Sequence, residues 1–132
     1  MSDPTYFFAP IGVVRSSLRS AKAAPKQGSE GAPTAWIELD SRFAEAVLGL
    51  TIGDQLILLT WLHEARRDLQ LVHPRDDLSA PLKGVFATRS ADRPNPIGLH
   101  PVILLAVEGL RLNVGPLEAI DGTPVLDLKP AL

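Results

Sequence analysis

Residues 55–62 read Gln55-Leu56-Ile57-Leu58-Leu59-Thr60-Trp61-Leu62, an almost unbroken apolar run. At that length it reads as a central, buried strand, and it falls far short of the ~20 apolar residues that span a bilayer. Other short apolar runs flank it. Residues 11–14 are β-branched and follow Pro10, residues 34–39 carry Trp36, Ile37 and Leu39, and residues 84–88 read Gly-Val-Phe-Ala-Thr. Residues 102–107 and 110–114 flank Glu108-Gly109 and predict a hairpin, and residues 125–128 form the last run. Runs this short, separated by turn residues, favour strands over helices. Residues 41–48 depart from the pattern. There Phe43, Val47 and Leu48 stand at helical spacing behind a Ser41 cap. About seven strands in a chain this short predict an all-β fold, a small closed or nearly closed β-barrel with one short helix, because closure removes exposed edges. Residues 16–33 and 71–82 resist assignment and read as long loops, where function often sits.

Composition narrows the class. The chain has 132 residues, 45% of them hydrophobic, with 12 Pro that divide it into short elements. That length suits one domain with a real core. With no Cys, there is no disulfide framework, cysteine nucleophile or thiolate zinc site. The N-terminus lacks a basic segment followed by a signal-peptide core, so a cytoplasmic protein is expected. A net charge of −2 argues against a uniformly basic nucleic-acid binder and leaves room for a local basic patch. One such patch exists. Arg15, Arg19, Lys22 and Lys26 lie in a stretch without an acid between Pro4 and Ser29, which suits either a phosphate backbone or a solvated loop.

Chemistry concentrates in a few places. Thr88-Arg89-Ser90-Ala91-Asp92-Arg93-Pro94-Asn95-Pro96-Ile97-Gly98-Leu99 is the densest. Two prolines hold Asn95 in extended backbone, its amide both donates and accepts, and Arg89 and Arg93 carry forks suited to carboxylate or phosphate. The same residues also read as a proline-stiffened turn whose arginines pair with Asp92 and neighbouring acids. Asp121-Gly122-Thr123-Pro124 opens with a strong turn pair. Alternation then puts Val125 and Asp127 on one face and Leu126 and Leu128 on the other, with Asp127 and Lys129 placed to pair. His63-Glu64 after the central run offers either a general base or a satisfied structural histidine. The three His show no metal-ligand spacing, and no nucleotide-binding or hydrolase motif is present.

Together Ile11-Gly12-Val13-Val14-Arg15-Ser16, Pro25-Lys26-Gln27, the Gly84–Ser90 and Arg93–Leu99 motifs and Asp121-Gly122-Thr123-Pro124-Val125-Leu126-Asp127-Leu128-Lys129-Pro130 carry a resemblance over nearly the whole chain. The sequence resembles the TsaA-like family, the YaeB and TrmO group. The resemblance implies a single TsaA-like β-barrel domain over residues 1–132, without the C-terminal lobe of longer members. It implies a homodimer that binds S-adenosylmethionine and methylates N6 of threonylcarbamoyladenosine beside the anticodon of tRNA. By motif match, Pro25, Lys26, Gln27, His63, Glu64, Arg89, Leu99, Asp121, Gly122, Thr123 and Pro124 would line the cofactor site. Asn95, Asp121 and Arg93 would form the catalytic set. Asn95 would orient the reacting nitrogen, Asp121 or Asp127 would accept its proton or hold the cofactor, and Arg89 or Arg93 would meet the threonyl carboxylate or a phosphate. Neither a metal nor a membrane is implied. The competing expectation is a non-catalytic S-adenosylmethionine-binding sensor or regulatory module.

Overall fold

The computed structural model describes residues 3–132, so the first two residues of the expected domain lie outside the described residues. The strands are β1 (Gly12–Arg15), β2 (Ala35–Leu39), β3 (Gln55–Trp61), β4 (Leu71–Val72), β5 (Lys83–Gly84), β6 (Ile97–Glu108), β7 (Arg111–Gly115) and β8 (Pro124–Pro130). Six of them close an antiparallel barrel in the order β1-β2-β7-β6-β3-β8, with β8 returning to β1, while β4 and β5 form a separate two-stranded ribbon. The small all-β barrel expected from the short apolar runs is the observed fold. No helix among the described residues is long and apolar enough to cross a membrane.

Alternation along the strands builds the core. On β3 the inward residues are Leu56, Leu58 and Thr60, and on β6 they are Gly98, His100, Val102 and Leu104. The register sets Leu56 against Val102, Leu58 against His100 and Thr60 against Gly98. The interior is therefore aliphatic along most of its length and turns polar at one end. A cavity opens from that polar end. The β6–β7 hairpin turns at Gly109, whose φ of 61° favours a residue without Cβ.

Four local readings differ from the structure. Residues 84–88 are not a strand. Only Lys83–Gly84 pairs, with Leu71–Val72, and Val85–Ala87 then tightens into a 3-10 turn closed by Thr88, which donates from both N and Oγ1 to the Val85 carbonyl. Val85 is buried while Phe86 is exposed, so the run lacks the two-sided burial its composition suggested. The short helix is present as 3-10 helix over Ser41–Val47, but its cap is Asp40, whose carboxylate accepts from Arg42 N at 2.9 Å. The hairpin strand expected over residues 102–107 begins earlier, at Ile97, because it pairs with all of β3. Strict alternation in β8 also breaks. A bulge pairs Leu59 with Asp127 and Thr60 with Val125, so Leu126 is the extra residue. Val125 and Leu128 consequently both pack on the core, while Asp127 faces Lys129 at 3.3 Å as expected.

Candidate functional site

The polar end of the barrel opens into a cavity of about 770 Å³. Its wall comes from parts of residues 21–27 and 87–99, from residues 62–65, 73–76 and 118–120, and from Lys83, His100 and Thr123. Its size lies within the ~300–1,000 Å³ common for small-ligand sites. Of the residues singled out from sequence, the fold brings Pro25, Lys26, Gln27, His63, Glu64, Arg89, Arg93, Asn95, Leu99 and Thr123 to this one wall. Asp121, Gly122, Pro124 and Asp127 are not in it.

The Asp121-Gly122 turn instead locks the start of the chain's first long loop. Asp121 accepts from Ser16 N at 3.0 Å through Oδ1 and from Arg19 Nη1 at 2.8 Å through Oδ2. Gly122, at φ 86°, donates its N–H to the Val14 carbonyl. Thr123 is buried and its hydroxyl donates back to the Ile120 carbonyl at 2.7 Å. Both Asp121 oxygens are thus engaged within the chain, the local result of a tight turn laid against β1.

The loop carrying Asn95 is held from outside by a residue that its own motif does not contain. Arg67 donates from Nε to the Pro94 carbonyl at 2.7 Å and from Nη2 to Asn95 Oδ1 at 3.1 Å. The Arg67 guanidinium stacks 5.1 Å from the Trp61 ring centroid, and Trp61 in turn packs against Phe8. One lone pair of the Asn95 amide oxygen is therefore taken, and its NH₂ remains a donor. Arg93 faces inward onto the backbone of its own loop, with Nη1 donating to the carbonyls of Thr88 and Ser90 at 3.1 and 2.9 Å. Arg89 reaches the Leu99 carbonyl at 3.0 Å and ties the loop to the rim of β6.

Two ion pairs cross between the loops at the mouth. Lys26 meets Asp76 at 2.7 Å and Arg75 meets Glu30 at 2.6 Å. Arg75 and Asp76 both sit at positive φ, 56° and 59°, a costly backbone for residues with a Cβ. All four side chains are well exposed, so each pair contributes little on its own. Beside the wall, Arg66 grips Asp68 through two nitrogens, which raises the guanidinium and lowers the carboxylate relative to their ordinary values. Hydrogen bonds from the Ser79 hydroxyl and amide likewise hold Asp77 below the usual carboxylate range.

Sequence reasoning missed three residues at the floor: Thr60, His100 and Glu118. His100 Nε2 lies 2.7 Å from Thr60 Oγ1, and His100 Nδ1 lies 2.5 Å from Glu118 Oε1. One signal was available. His100 stands in phase with Val102 and Leu104, hence inward, and a buried imidazole needs partners on both nitrogens. Nothing local marks Glu118, which arrives on the segment after β7.

The family model described as "tRNA-methyltransferase O N-terminal domain" matches residues 13–132. The chain is 39% identical over 128 residues to "Probable S-adenosyl-L-methionine-binding protein VirR" of Rhizobium radiobacter, covering 97% of this chain and 71% of that protein. It is 41% identical over 130 residues to a "Probable S-adenosyl-L-methionine-binding protein" of Methanothermobacter thermautotrophicus, covering 98% and 93%. Among solved structures it is similar to TrmO from Pseudomonas aeruginosa, with a TM-score of 0.78 and 36% identity, covering 98% of this chain. The chain spans only 57% of that solved chain's length.

Proposed function

Because this chain belongs to the tRNA-methyltransferase O N-terminal domain family, we propose that it binds S-adenosylmethionine in the cavity and methylates tRNA, with N6 of threonylcarbamoyladenosine beside the anticodon as the target. The observation that carries this reading is the convergence of ten motif residues on one wall of about 770 Å³. The donor set fits the cofactor. Buried apolar groups such as Ala119 and Ile120 suit a nucleoside, and Lys26, Arg89, Glu64 and Glu118 suit the charges of an amino acid.

The cofactor supplies a methyl group already activated on a sulfonium. The protein's task is then to hold the accepting nitrogen in line at near-attack distance, which needs no covalent residue. In this reading Pro25, Lys26, Gln27, His63, Glu64, Arg89, Leu99 and Thr123 hold the cofactor. Asn95 orients the nitrogen through its amide, with Arg67 and the flanking prolines fixing that amide. Arg93 supports the loop from within. Asp121, Gly122 and Pro124 act one step back, by fixing the turn that delivers Thr123 and the segment before it.

The reading includes a homodimer. The outward face of β6 presents Ile97, Leu99, Ile103 and Leu105, each 41–48% exposed, with Leu59 and Trp61 of β3 beside Leu99 and Ile97. A continuous apolar stripe of that kind favours a partner surface. A second copy placed there would also cover the margin of the cavity, since Ile97 and Leu99 belong to both.

The alternative is a module that binds the cofactor without transferring its methyl group, and the binding names of the two curated relatives favour it. Calorimetric titration with S-adenosylmethionine, followed by labelled-methyl transfer to tRNA with and without threonylcarbamoyladenosine, decides between them. Transfer only to the modified tRNA supports the full proposal. Transfer to both preparations moves the target elsewhere, binding without transfer favours the module, and no binding removes both.

A further inference from the structure

The floor of the cavity holds a polar chain that ends on Glu118. The Thr60 hydroxyl, His100 imidazole and Glu118 carboxylate stand in the order of a hydroxyl–imidazole–carboxylate relay. Burial excludes a nucleophile, because Thr60 is fully buried and is not in the cavity wall. The chain's effect is orientation. A carboxylate only accepts, so His100 Nδ1–H donates to it, which leaves Nε2 to meet the Thr60 hydroxyl. The arrangement requires a glycine above it: a Cβ on Gly98 would fall 2.4 Å from Thr60 Oγ1 and 2.5 Å from His100 Nε2.

Glu118 itself lines the cavity, its side chain 15% exposed. One oxygen is held by His100. The other, Oε2, lies 3.0 Å from where a Gly28 Cβ would sit, beside the Pro25-Lys26-Gln27 loop. Among the described residues His100 is its hydrogen-bond partner. Of the wall's cations, Lys26 is engaged with Asp76, Arg75 with Glu30, and Arg89 and Arg93 with backbone carbonyls, while Lys83 makes no ion pair with Glu118. A largely buried carboxylate with a free oxygen and no Lys or Arg paired to it is suited to a cationic ligand.

We infer that Glu118, aimed by His100 and Thr60, is the residue that reads the positive charge of the cofactor's methionyl part. This rests on the cofactor reading above. Three ligands separate the charges. S-adenosylmethionine carries a sulfonium and an ammonium, S-adenosylhomocysteine keeps only the ammonium, and 5′-methylthioadenosine has neither. Titration calorimetry of the full chain is expected to show Glu118→Gln weakening S-adenosylmethionine by about 10- to 100-fold while 5′-methylthioadenosine changes by less than about threefold. A parallel loss for S-adenosylhomocysteine assigns the ammonium, and its absence assigns the sulfonium; both outcomes support the inference. Equal weakening of all three ligands, or none, overturns it. Glutamine keeps an oxygen to accept from His100, so the fold is expected to persist. Thr60→Val tests the positioning separately. It should shift the His100 ring ¹⁵N resonances and weaken S-adenosylmethionine selectively, and Thr60→Ser should restore both; unchanged resonances and affinity in Thr60→Val overturn the role of Thr60. A wild-type protein that binds none of the three overturns the cofactor reading together with this inference. Wild-type binding with an unselective Glu118→Gln effect overturns the inference alone.

Discussion

Asn95 shows how one side chain acquires a role from its neighbours. Its prolines set the backbone, but Arg67, held against Trp61, decides which of its amide atoms is free. Asn95→Ala is expected to lower turnover by about 100-fold, the cost of losing alignment at the reacting atom, with a much smaller change in cofactor affinity. Steady-state kinetics beside calorimetry checks this, and equal losses in both would remove the assignment. Gly98 illustrates a constraint of space. Its neighbours are the two polar atoms of a buried hydrogen bond, so Gly98→Ala must break that bond or displace β3 from β6. A loss of about 1–3 kcal/mol in denaturant unfolding is expected, as for other overpacked interiors. A stability equal to wild type would show that the Thr60–His100 contact is dispensable.

At the scale of elements, β6 does two tasks at once. Its even-numbered residues from Gly98 to Leu104 face inward and fill the barrel, while Ile97, Leu99, Ile103 and Leu105 stay half exposed and apolar. A strand with one solvated face ordinarily carries polar residues there. Placing a charge on this stripe far from the cavity tests the dimer: Ile103→Glu is expected to halve the mass seen by light scattering at micromolar concentration. An unchanged mass would place the contact elsewhere. The β8 bulge shows the opposite economy. By adding Leu126 it lets Val125 and Leu128 both reach the core, an outcome that a strict two-residue period cannot express.

The whole molecule sets the electrostatics of substrate grip. Of the four cations in the acid-free stretch, Arg15 pairs with Glu38, Arg19 with Asp121 and Lys26 with Asp76. Those pairs reduce the charge available to a phosphate backbone, so tRNA affinity is expected to fall only modestly with salt, as one or two phosphate contacts would require. Filter binding between 50 and 200 mM salt measures it, and a loss of 1,000-fold or more would show that the pairs open on binding.

The sequence by itself determined where most strands lie, the closed all-β class, the hairpin at Glu108-Gly109 and the motif loops that supply most of the cavity wall. These are local properties, set by residue type and spacing. It did not show that residues 84–88 are drawn into a turn, that Asp121 is engaged by Arg19, or that Arg67 orients Asn95. It also did not show that His100 and Glu118, eighteen residues apart, meet beneath the cavity. Each of these depends on segments separated in the chain becoming neighbours when the strands pair. A hydrogen bond forms where the closed barrel places donor beside acceptor, and no local pattern encodes that placement.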